Sequence, residues 1–255
     1  MITLTTDLGL KDYYVGAIKG AIFSQLPTAC IVDITHELEP FDIMQASYVI
    51  KNSYPNFPQG TVHIIGIDAH PDINSPYTAV QINGQYFIGA DNGIFSLLFD
   101  KVPDIVVELN LKQDVDTLNF PIRDIFAKAA CHIARGGTLE VIGTLKKELK
   151  EKTILRPIAN PTAIRGSIIY IDSYGNAITN ITKGLFAETG KGRKYTIDIT
   201  RYSISKISET YNDVVEGEMV AIFNSANHIE LSINKGKIAN LLNLHLGDII
   251  TVNFQ

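Results

Sequence analysis

Cysteines and long apolar runs are both scarce in this 255-residue sequence, and basic residues are not in excess. The two cysteines, Cys30 and Cys131, can form neither a disulfide framework nor a zinc site of the usual ligand spacing. There are 22 Lys and Arg against 27 Asp and Glu, with no basic block, so the electrostatic footprint of a nucleic-acid-binding protein is missing. The apolar runs are far shorter than the roughly 18 residues that a membrane-spanning helix needs, and residues 1–7 do not resemble a signal peptide. These absences predict a soluble cytoplasmic protein with neither a nucleic-acid nor a membrane partner.

Motifs that indicate cofactor or covalent chemistry are also missing. There is no phosphate-binding loop, dinucleotide fingerprint or nucleophile elbow. His36 has no second histidine at metal-ligand spacing, and we interpret it as a structural histidine. His63 alternates with apolar residues, as an outward-facing or hydrogen-bonded strand residue does. Cys131 is followed by a histidine, but no acid lies beside the pair, so we expect no Cys–His catalysis. Because the ligand spacings and cofactor motifs are missing, we also expect no metal and no cofactor.

Strand-like and helix-like segments alternate in the first half of the chain. Short apolar runs predict strands at residues 2–6, 30–34, 61–67 and 105–109, and the dipeptide Asn83-Gly84 predicts a hairpin between residues 78–82 and 86–88. Helical spacing of apolar residues predicts helices over residues 12–26, 40–51, 92–98 and 123–135. This alternation is typical of an α/β domain with a mostly parallel central sheet, which we assign to residues 1–153.

The pattern changes after residue 153. Two X-Pro pairs, Arg156-Pro157 and Asn160-Pro161, favour extended backbone and predict a linker over residues 154–163. Beyond it the apolar runs are short and separated by turn residues, and one helix is expected, at residues 238–242. This pattern predicts a small all-β, barrel-like domain over residues 164–255.

Acidic residues follow the predicted strands of the first domain. Asp7 follows the first strand, Asp68 the third, and Asp91 the hairpin. Ligands of open α/β sheets bind outside the carboxyl ends of the strands. Each acid could instead cap the helix that follows it, and for Asp12 or Asp91 alone we favour that interpretation. For Asp7 and Asp68 together we favour a site.

A turn in the second domain also carries polar groups. Asp172-Ser173-Tyr174-Gly175-Asn176 directly follows a predicted strand, and its composition is typical of a turn. Tyr174 nevertheless offers an aromatic face and Asn176 an amide, a pair that suits a purine or a sulfonium.

Taken in order, these segments resemble the S-adenosyl-L-methionine (SAM) hydroxide adenosyltransferases, relatives of the fluorinase and chlorinase. The resemblance spans nearly the whole chain. The matching motifs are Thr5-Thr6-Asp7-Leu8-Gly9, Ile31-Val32-Asp33-Ile34-Thr35-His36, Thr61-Val62-His63 leading to Asp68, Asp91-Asn92-Gly93, Arg123-Asp124-Ile125-Phe126, Ile171-Asp172-Ser173-Tyr174-Gly175-Asn176, and Glu216-Gly217-Glu218 leading to Phe223-Asn224-Ser225.

The resemblance implies an N-terminal α/β domain, a C-terminal β barrel and a homotrimer whose substrate lies between subunits. It implies that Asp7 holds the ribose hydroxyls through charge-assisted hydrogen bonds and that Asp12 faces the methionine ammonium. SAM is then the substrate and not a cofactor.

For the second domain, the resemblance implies contacts to both ends of the substrate. Asp172, Asn176 and Ser225 are expected at the methionine end. Tyr174 is expected to stack on the adenine, and Asn234 to lie near the adenine edge. A carboxylate and an aromatic face suit a ligand that carries an ammonium and a sulfonium.

The sequence departs from the family at the catalytic positions. The hydrolases of the family are associated with an Asp–Arg–His set that handles water or hydroxide. Its aspartate corresponds to Asp68, but Ser75 stands at the arginine position and Pro121 at the histidine position. His70 or Asp72 could replace a missing member.

Three functions stay open at this point. The leading interpretation is hydrolysis of SAM to adenosine and methionine, with Asp68 as the catalytic residue. The alternatives are a catalytically degenerate protein that binds SAM or adenosine, and a protein of the same fold that acts on another nucleoside. Halogenation is disfavoured by two differences from the fluorinase. A carboxylate at position 68, where the fluorinase has an uncharged tyrosine, repels a halide, and the Asn83-Gly84 hairpin is short where the fluorinase has a long insertion.

Overall fold

The computed structural model describes residues 1–70, 72–111, 119–153 and 156–255. The chain divides into two compact units, Met1–Thr153 and Ile154–Gln255. Two residues of the expected linker, 154 and 155, lie outside the described residues, and residues 158–160 of that linker form a short strand.

The first unit is built on a seven-stranded sheet with helices on both faces. Its strands are β1 (Ile2–Thr6), β2 (Ile31–Thr35), β3 (Val62–Gly66), β4 (Tyr77–Ile82), β5 (Gln85–Ala90), β6 (Ile105–Leu109) and β7 (Gly143–Leu145). Its helices are α1 (Tyr14–Gln25), α2 (Ile43–Ser53), α3 (Ile94–Leu98), α4 (Ala127–Ala134) and α5 (Leu139–Ile142), with a 3-10 turn at Tyr54–Asn56 and a π-helical turn at Ile122–Phe126.

The sheet is mixed, so the expectation of a mostly parallel sheet was wrong. The strand order is β2-β1-β3-β5-β4-β6-β7. Pairs on the β2–β5 side are parallel, whereas β5–β4, β4–β6 and β6–β7 are antiparallel. The cause is the tight turn at Asn83 and Gly84, whose φ angles of 52° and 72° reverse the chain without a crossover helix. The same dipeptide that predicted the hairpin therefore makes β4 antiparallel to β5.

Two apolar clusters cover the faces of this sheet. One side packs α1, α4 and the π-helical turn, with Ile18, Ile22 and Phe126 buried. The other packs α2 and α3, with Ile50 and Phe95 buried. The strands β1 and β3 are buried along their whole length, and their polar residues, among them Thr3 and His63, are buried with the apolar ones.

Helix boundaries differ from the sequence-based prediction at two points. The helix expected over residues 123–135 is interrupted, because the π-helical turn occupies its first part and α4 begins at Ala127. Asp12 does not cap α1, since the residue before that helix is Tyr13 and no side chain accepts from its free amides. Asp42 does cap α2, accepting hydrogen bonds from the amides of Met44 and Gln45.

The second unit is a nine-stranded, nearly closed barrel-like sheet. Its strands are β8 (Ile158–Asn160), β9 (Ala163–Ile171), β10 (Ala177–Thr182), β11 (Tyr195–Ile199), β12 (Tyr202–Ile204), β13 (Ile207–Ser208), β14 (Met219–Phe223), β15 (His228–Ile233) and β16 (Ile249–Phe254). The main strand order is β12-β11-β16-β9-β10-β15-β14-β13, and β8 pairs with β9. Every pairing is antiparallel except that of β13 with β14.

Two helices accompany this sheet, α6 (Lys183–Gly190) and α7 (Ile238–Leu242). The sequence predicted α7 but not α6. The segment KGLFAETG carries two glycines and no regular apolar stripe, and its start is fixed locally by Thr182, whose hydroxyl accepts from the amide of Leu185. No helix in the described part of the chain is long and apolar enough to cross a membrane.

Candidate functional site

The ends of β1 and β3 meet at the carboxyl edge of the first unit's sheet. β1 and β3 are neighbouring parallel strands, so the residues that follow them, Asp7 and Asp68, lie side by side. The Oδ2 atom of Asp7 accepts a hydrogen bond from the backbone amide of Phe41 at 2.9 Å and from that of Asp68 at 3.5 Å. The Asp7 carboxylate therefore links the loops that follow β1, β2 and β3.

The backbone at Asp68 is held in an unusual conformation. Its φ angle is 45°, in the left-handed region that non-glycine residues rarely adopt. The side-chain amide of Asn92 donates to the carbonyl of Asp68 at 3.4 Å and to that of Ile67 at 3.1 Å, and its oxygen accepts from the amide of Ile94. Asn92 thus fixes the main chain, while the Asp68 side chain stays exposed at the sheet edge.

Asp91 has a different environment. It is buried, and its carboxylate accepts from Lys146 Nζ at 2.6 Å and from the backbone amide of Lys150 at 3.1 Å. These contacts attach the segment after β7 to the end of β5. Of the three acids that follow the strands, Asp7 and Asp68 are joined by a hydrogen bond at the edge of the sheet. Asp91 instead binds Lys146 and Lys150 of the segment after β7.

Ser75 and Pro121 occupy the positions of the expected arginine and histidine. Ser75 is buried, and its hydroxyl oxygen accepts from Lys150 Nζ at 3.2 Å. Pro121 precedes the π-helical turn and offers no proton donor or acceptor on its side chain. A lysine from the segment after β7 therefore reaches the loop that follows Asp68.

Neither candidate substitute contacts Asp68 through a hydrogen bond in the described part of the chain. The exposed ring of His70 lies 6.1 Å from that of Phe41. Asp72 is turned into its own loop, where it accepts from the amide and side chain of Asn74. The amide hydrogen bond from Asn74 lowers the pKa of Asp72, which keeps it a carboxylate. Asp12 is exposed just ahead of α1.

His63 is a hydrogen-bonded strand residue, one of the two interpretations that the sequence left open. Gln85 donates its amide to the carbonyl of Phe57, so its oxygen faces His63 Nε2 and that nitrogen carries the proton. His63 Nδ1 then accepts from Thr3. Burial lowers the pKa of His63 to about 4, so the ring is neutral. In the described residues no cluster of three or more His, Cys, Asp or Glu side chains could hold a metal ion.

In the second unit, the turn after β9 is organised by Asp172. Its Oδ1 accepts from the amides of Tyr174 and Asn176, and its Oδ2 accepts from the Asn176 side chain. The Tyr174 ring is consequently held outward, with 76% of the residue exposed. The turn interpretation of this segment and the presentation of an aromatic face are therefore both correct.

The strand register brings most of the second unit's predicted site residues to one end of the sheet. Ala177 pairs with Leu231, so Asp172 and Asn176 lie at the end of β10 where β15 finishes. Asn234 directly follows β15, and its side chain donates to the carbonyl of Val214. Ser225 lies in the exposed turn before β15, at the opposite end of the same strand and on the order of 10 Å or more away.

The sequence analysis missed one buried acidic residue of the second unit, Glu230 on β15. Ile178 pairs with Tyr170 on one side and Glu230 on the other, which puts these residues on the sheet face opposite the barrel core. Glu230 is buried and accepts from the hydroxyl of Tyr211 at 2.6 Å and of Ser232 at 3.0 Å. Burial and the hydrogen bond to Glu230 raise the pKa of Tyr211. The available signal was a glutamate between Ile229 and Leu231 inside a predicted strand.

Comparison with known proteins covers both units. The N-terminal domain model of the SAM hydroxide adenosyltransferases matches residues 2–143, and the C-terminal domain model matches residues 166–251. A protein of Thermus thermophilus named (R)-S-adenosyl-L-methionine hydrolase is 30% identical, with 95% of each chain covered. A Methanocaldococcus jannaschii protein of the same name is 33% identical over 72% of this chain and 67% of its own.

The fold also matches a solved structure. An uncharacterized conserved protein from Thermotoga maritima superposes with a TM-score of 0.89 at 29% identity, over 99% of this chain and 100% of that one. The ordered motifs, the two domain models and this full-length match agree, and the resemblance found in the sequence is confirmed. The chain belongs to the SAM hydroxide adenosyltransferase family.

Proposed function

We propose that this protein hydrolyses SAM to adenosine and L-methionine, by attack of water on the ribose 5′-carbon. The observation that carries this proposal is the junction of Asp7 and Asp68 at the carboxyl edge of the sheet. This junction supports a site in which the Asp7 carboxylate holds a ribose and the exposed carboxylate of Asp68 lies beside it. The relatives named SAM hydrolase support the same reaction, and the one from Thermus thermophilus covers 95% of this chain.

The N-terminal unit holds the sugar in this proposal. The Asp7 carboxylate accepts two backbone amides through Oδ2, so Oδ1 is available to a ribose hydroxyl. Hydrogen bonds between an ionised carboxylate and hydroxyls are short and strong. Asp12, exposed ahead of α1, attracts the methionine ammonium.

The C-terminal unit holds the base and part of the methionine. The outward ring of Tyr174 stacks on adenine, and Asn234 lies near the adenine edge. Asp172 and Asn176 share the Tyr174 end of the sheet, whereas Ser225 lies at the other end. We assign Ser225 to the methionine end and place Asp172 and Asn176 between the two ends of the ligand.

The chemistry needs a nucleophile more than it needs an acid. Sulfur leaves as a neutral thioether and takes the electron pair of the carbon–sulfur bond, so the leaving group needs no proton. The attacking water forms the new carbon–oxygen bond and gives its proton to Asp68, which then passes it to solvent. With Ser75 and Pro121 at the arginine and histidine positions, the developing hydroxide receives less help, and turnover is slow.

The active assembly in this proposal is a homotrimer with substrate held between subunits. Exposed apolar side chains surround the Asp7–Asp68 edge, on the loops that follow β1, β2 and β3: Leu10, Tyr13, Phe41 and Ile73. Apolar groups of this size are costly to leave in water, so an assembly that covers them is stabilised. A head-to-tail interface that closes with three-fold symmetry satisfies this need.

Incubation of the purified protein with SAM, followed by chromatography, tests the proposal directly. Adenosine and methionine should accumulate in equal amounts, above a control without protein. Binding of SAM or adenosine with no turnover would favour the second candidate, a ligand-binding protein that has lost catalysis, which Ser75 and Pro121 motivate. Formation of a 5′-halogenated nucleoside in added halide would contradict both.

A further inference from the structure

Four buried or half-buried side chains, Thr6, His36, Asp33 and Lys19, form a continuous line next to the loop that carries Asp7. The hydroxyl of Thr6 lies 2.7 Å from His36 Nδ1, and both residues are almost fully buried. On the other side of the ring, His36 Nε2 lies 3.2 Å from Asp33 Oδ1. Lys19 Nζ completes the line at 2.5 Å from Asp33 Oδ2.

The direction of each hydrogen bond follows from the donors available. The Asp33 carboxylate, which only accepts, faces His36 Nε2, and in the tautomer with its proton on that nitrogen His36 Nδ1 accepts from the Thr6 hydroxyl. The Thr6 oxygen is then free to accept the backbone amide of Leu8, which lies 3.4 Å away. Burial would raise the pKa of Asp33, but the hydrogen bonds from Lys19 and His36 lower it, so Asp33 is a carboxylate near neutral pH.

A second contact joins His36 to the same loop. The carbonyl of His36 accepts the backbone amide of Gly9 at 2.7 Å. Thr6 and His36 together therefore hold the amides of Leu8 and Gly9, the two residues that directly follow Asp7. Gly9 has a φ angle of 69°, and because glycine restricts its own backbone little, these hydrogen bonds help to fix the turn.

We infer that Thr6 and His36, oriented by Asp33, are positioning residues that aim the Asp7 carboxylate at the ribose hydroxyls. The inference rests on the proposed function, because it assigns a role to the residues behind the proposed ribose contact. Asp7 itself is fixed on its other side by the amides of Phe41 and Asp68. The position of the Asp7 carboxylate is thus fixed from two sides, and loss of the Thr6–His36 hydrogen bond removes the constraint on one side.

The test compares two substitutions of Thr6 with two ligands. Thr6→Val keeps the shape of the side chain and removes the hydroxyl, whereas Thr6→Ser keeps the hydroxyl. Adenosine carries the ribose hydroxyls, and 2′,3′-dideoxyadenosine lacks them. Calorimetry should show that Thr6→Val weakens adenosine about tenfold, as the loss of a hydrogen bond does. Its affinity for dideoxyadenosine should be unchanged, and Thr6→Ser should bind both ligands like the wild type.

Asp33→Asn supplies a second variant at the half-exposed end of the line, where misfolding is not expected. It should lower the preference for adenosine over dideoxyadenosine in the same direction. If Thr6→Val weakens both ligands equally, or neither, the residues are merely structural and the inference is wrong. If the wild type itself shows no preference for adenosine, the ribose contact of the proposed function fails, and the positioning role fails with it.

Discussion

The Oδ2 atom of Asp7 lies 3.5 Å from the backbone amide of Asp68, so the side chain of one acid holds the main chain of the other. Both residues follow central parallel strands that are buried along their whole length. Because rigid strands and the Asn92 bonds fix both backbones, the relative placement of the two carboxylates is built into the fold. In the proposed function, a ribose held by Asp7 would thereby be presented to Asp68.

Replacement of Asp7 by alanine should weaken adenosine binding by about 1.5–3 kcal/mol, the usual contribution of hydrogen bonds to a charged group. Calorimetry measures this directly. Asp7→Asn should fall between the wild type and Asp7→Ala, since an amide oxygen still accepts the Phe41 amide. Asp100→Ala removes an exposed carboxylate paired with Lys51 and is the matched control. Unchanged affinity in Asp7→Ala would reject the ribose contact.

The neutral, buried His63 should make the first unit less stable in mild acid. Its pKa is about 4 in the folded protein and about 6.5 when exposed, so between these values the unfolded chain binds a proton that the folded chain does not. The free energy of unfolding should therefore decrease by about 2 kcal/mol through this residue as the pH falls from 7 to 5. Urea denaturation followed by circular dichroism measures the change.

His63→Gln isolates this contribution from the other histidines. The variant should be less stable at pH 7, because it disturbs the bonds to Thr3 and Gln85. Its stability should vary less with pH than that of the wild type. Parallel pH dependences in the two proteins would show that His63 is not the group responsible.

The ion pair of Lys146 with Asp91 should contribute more to stability than the hydrogen bond of Lys150 to Ser75. Lys146→Met leaves a buried carboxylate with only backbone donors, which should cost about 3 kcal/mol of stability. Lys150→Met keeps the backbone amide that donates to Asp91 and removes an exposed ammonium. Less than about 1 kcal/mol of the free energy of unfolding should therefore be lost. Thermal denaturation of the two variants compares them, and equal losses would contradict this ranking.

Much of this molecule could be predicted from local sequence. The apolar run at β3 and the helical spacing of α2 are strong patterns, because burial on a regular element dictates them. Asn83-Gly84 was interpreted correctly as a hairpin, yet its consequence for the sheet was missed. Whether β6 pairs parallel or antiparallel with β4 depends on tertiary pairing, which no local pattern contains.

The candidate site shows the same division. Asp7 and Asp68 were found because both follow strands that local patterns identify. Glu230 and Lys150 were missed because their importance comes from partners distant in sequence, such as Tyr211 and Ser75. The bond between His36 and Thr6 could not be derived from spacing alone, because it joins the last residue of β1 to the residue that follows β2.

Subunit assembly should be visible in solution. If the substrate lies between subunits of a trimer, sedimentation equilibrium at micromolar concentration should give three times the 28.1 kDa chain mass. Tyr13→Glu places a charge on one of the exposed apolar residues near Asp7 and should shift the protein toward monomer while it weakens adenosine binding. A wild-type monomer that binds adenosine would contradict the shared site.

Hydrolysis should depend on Asp68 and increase with pH. Asp68 is the proposed acceptor of the water proton, and removal of a positioned acid–base group typically lowers a rate by roughly 10²–10⁴-fold. Asp68→Asn keeps the size of the side chain and the backbone bonds to Asp7 and Asn92, so the affinity for SAM should change little while adenosine formation stops. Since no arginine or histidine stands at the two other positions, removal of the water proton should limit the wild type, and its rate should rise from neutral to alkaline pH as hydroxide joins water as the nucleophile. Adenosine formation measured across that range, against a protein-free control, provides the test. A wild-type rate equal to the control at every pH would leave Asp7 and Asp68 as parts of a binding site without catalysis, whereas a rate retained by Asp68→Asn would transfer the role of proton acceptor to another residue.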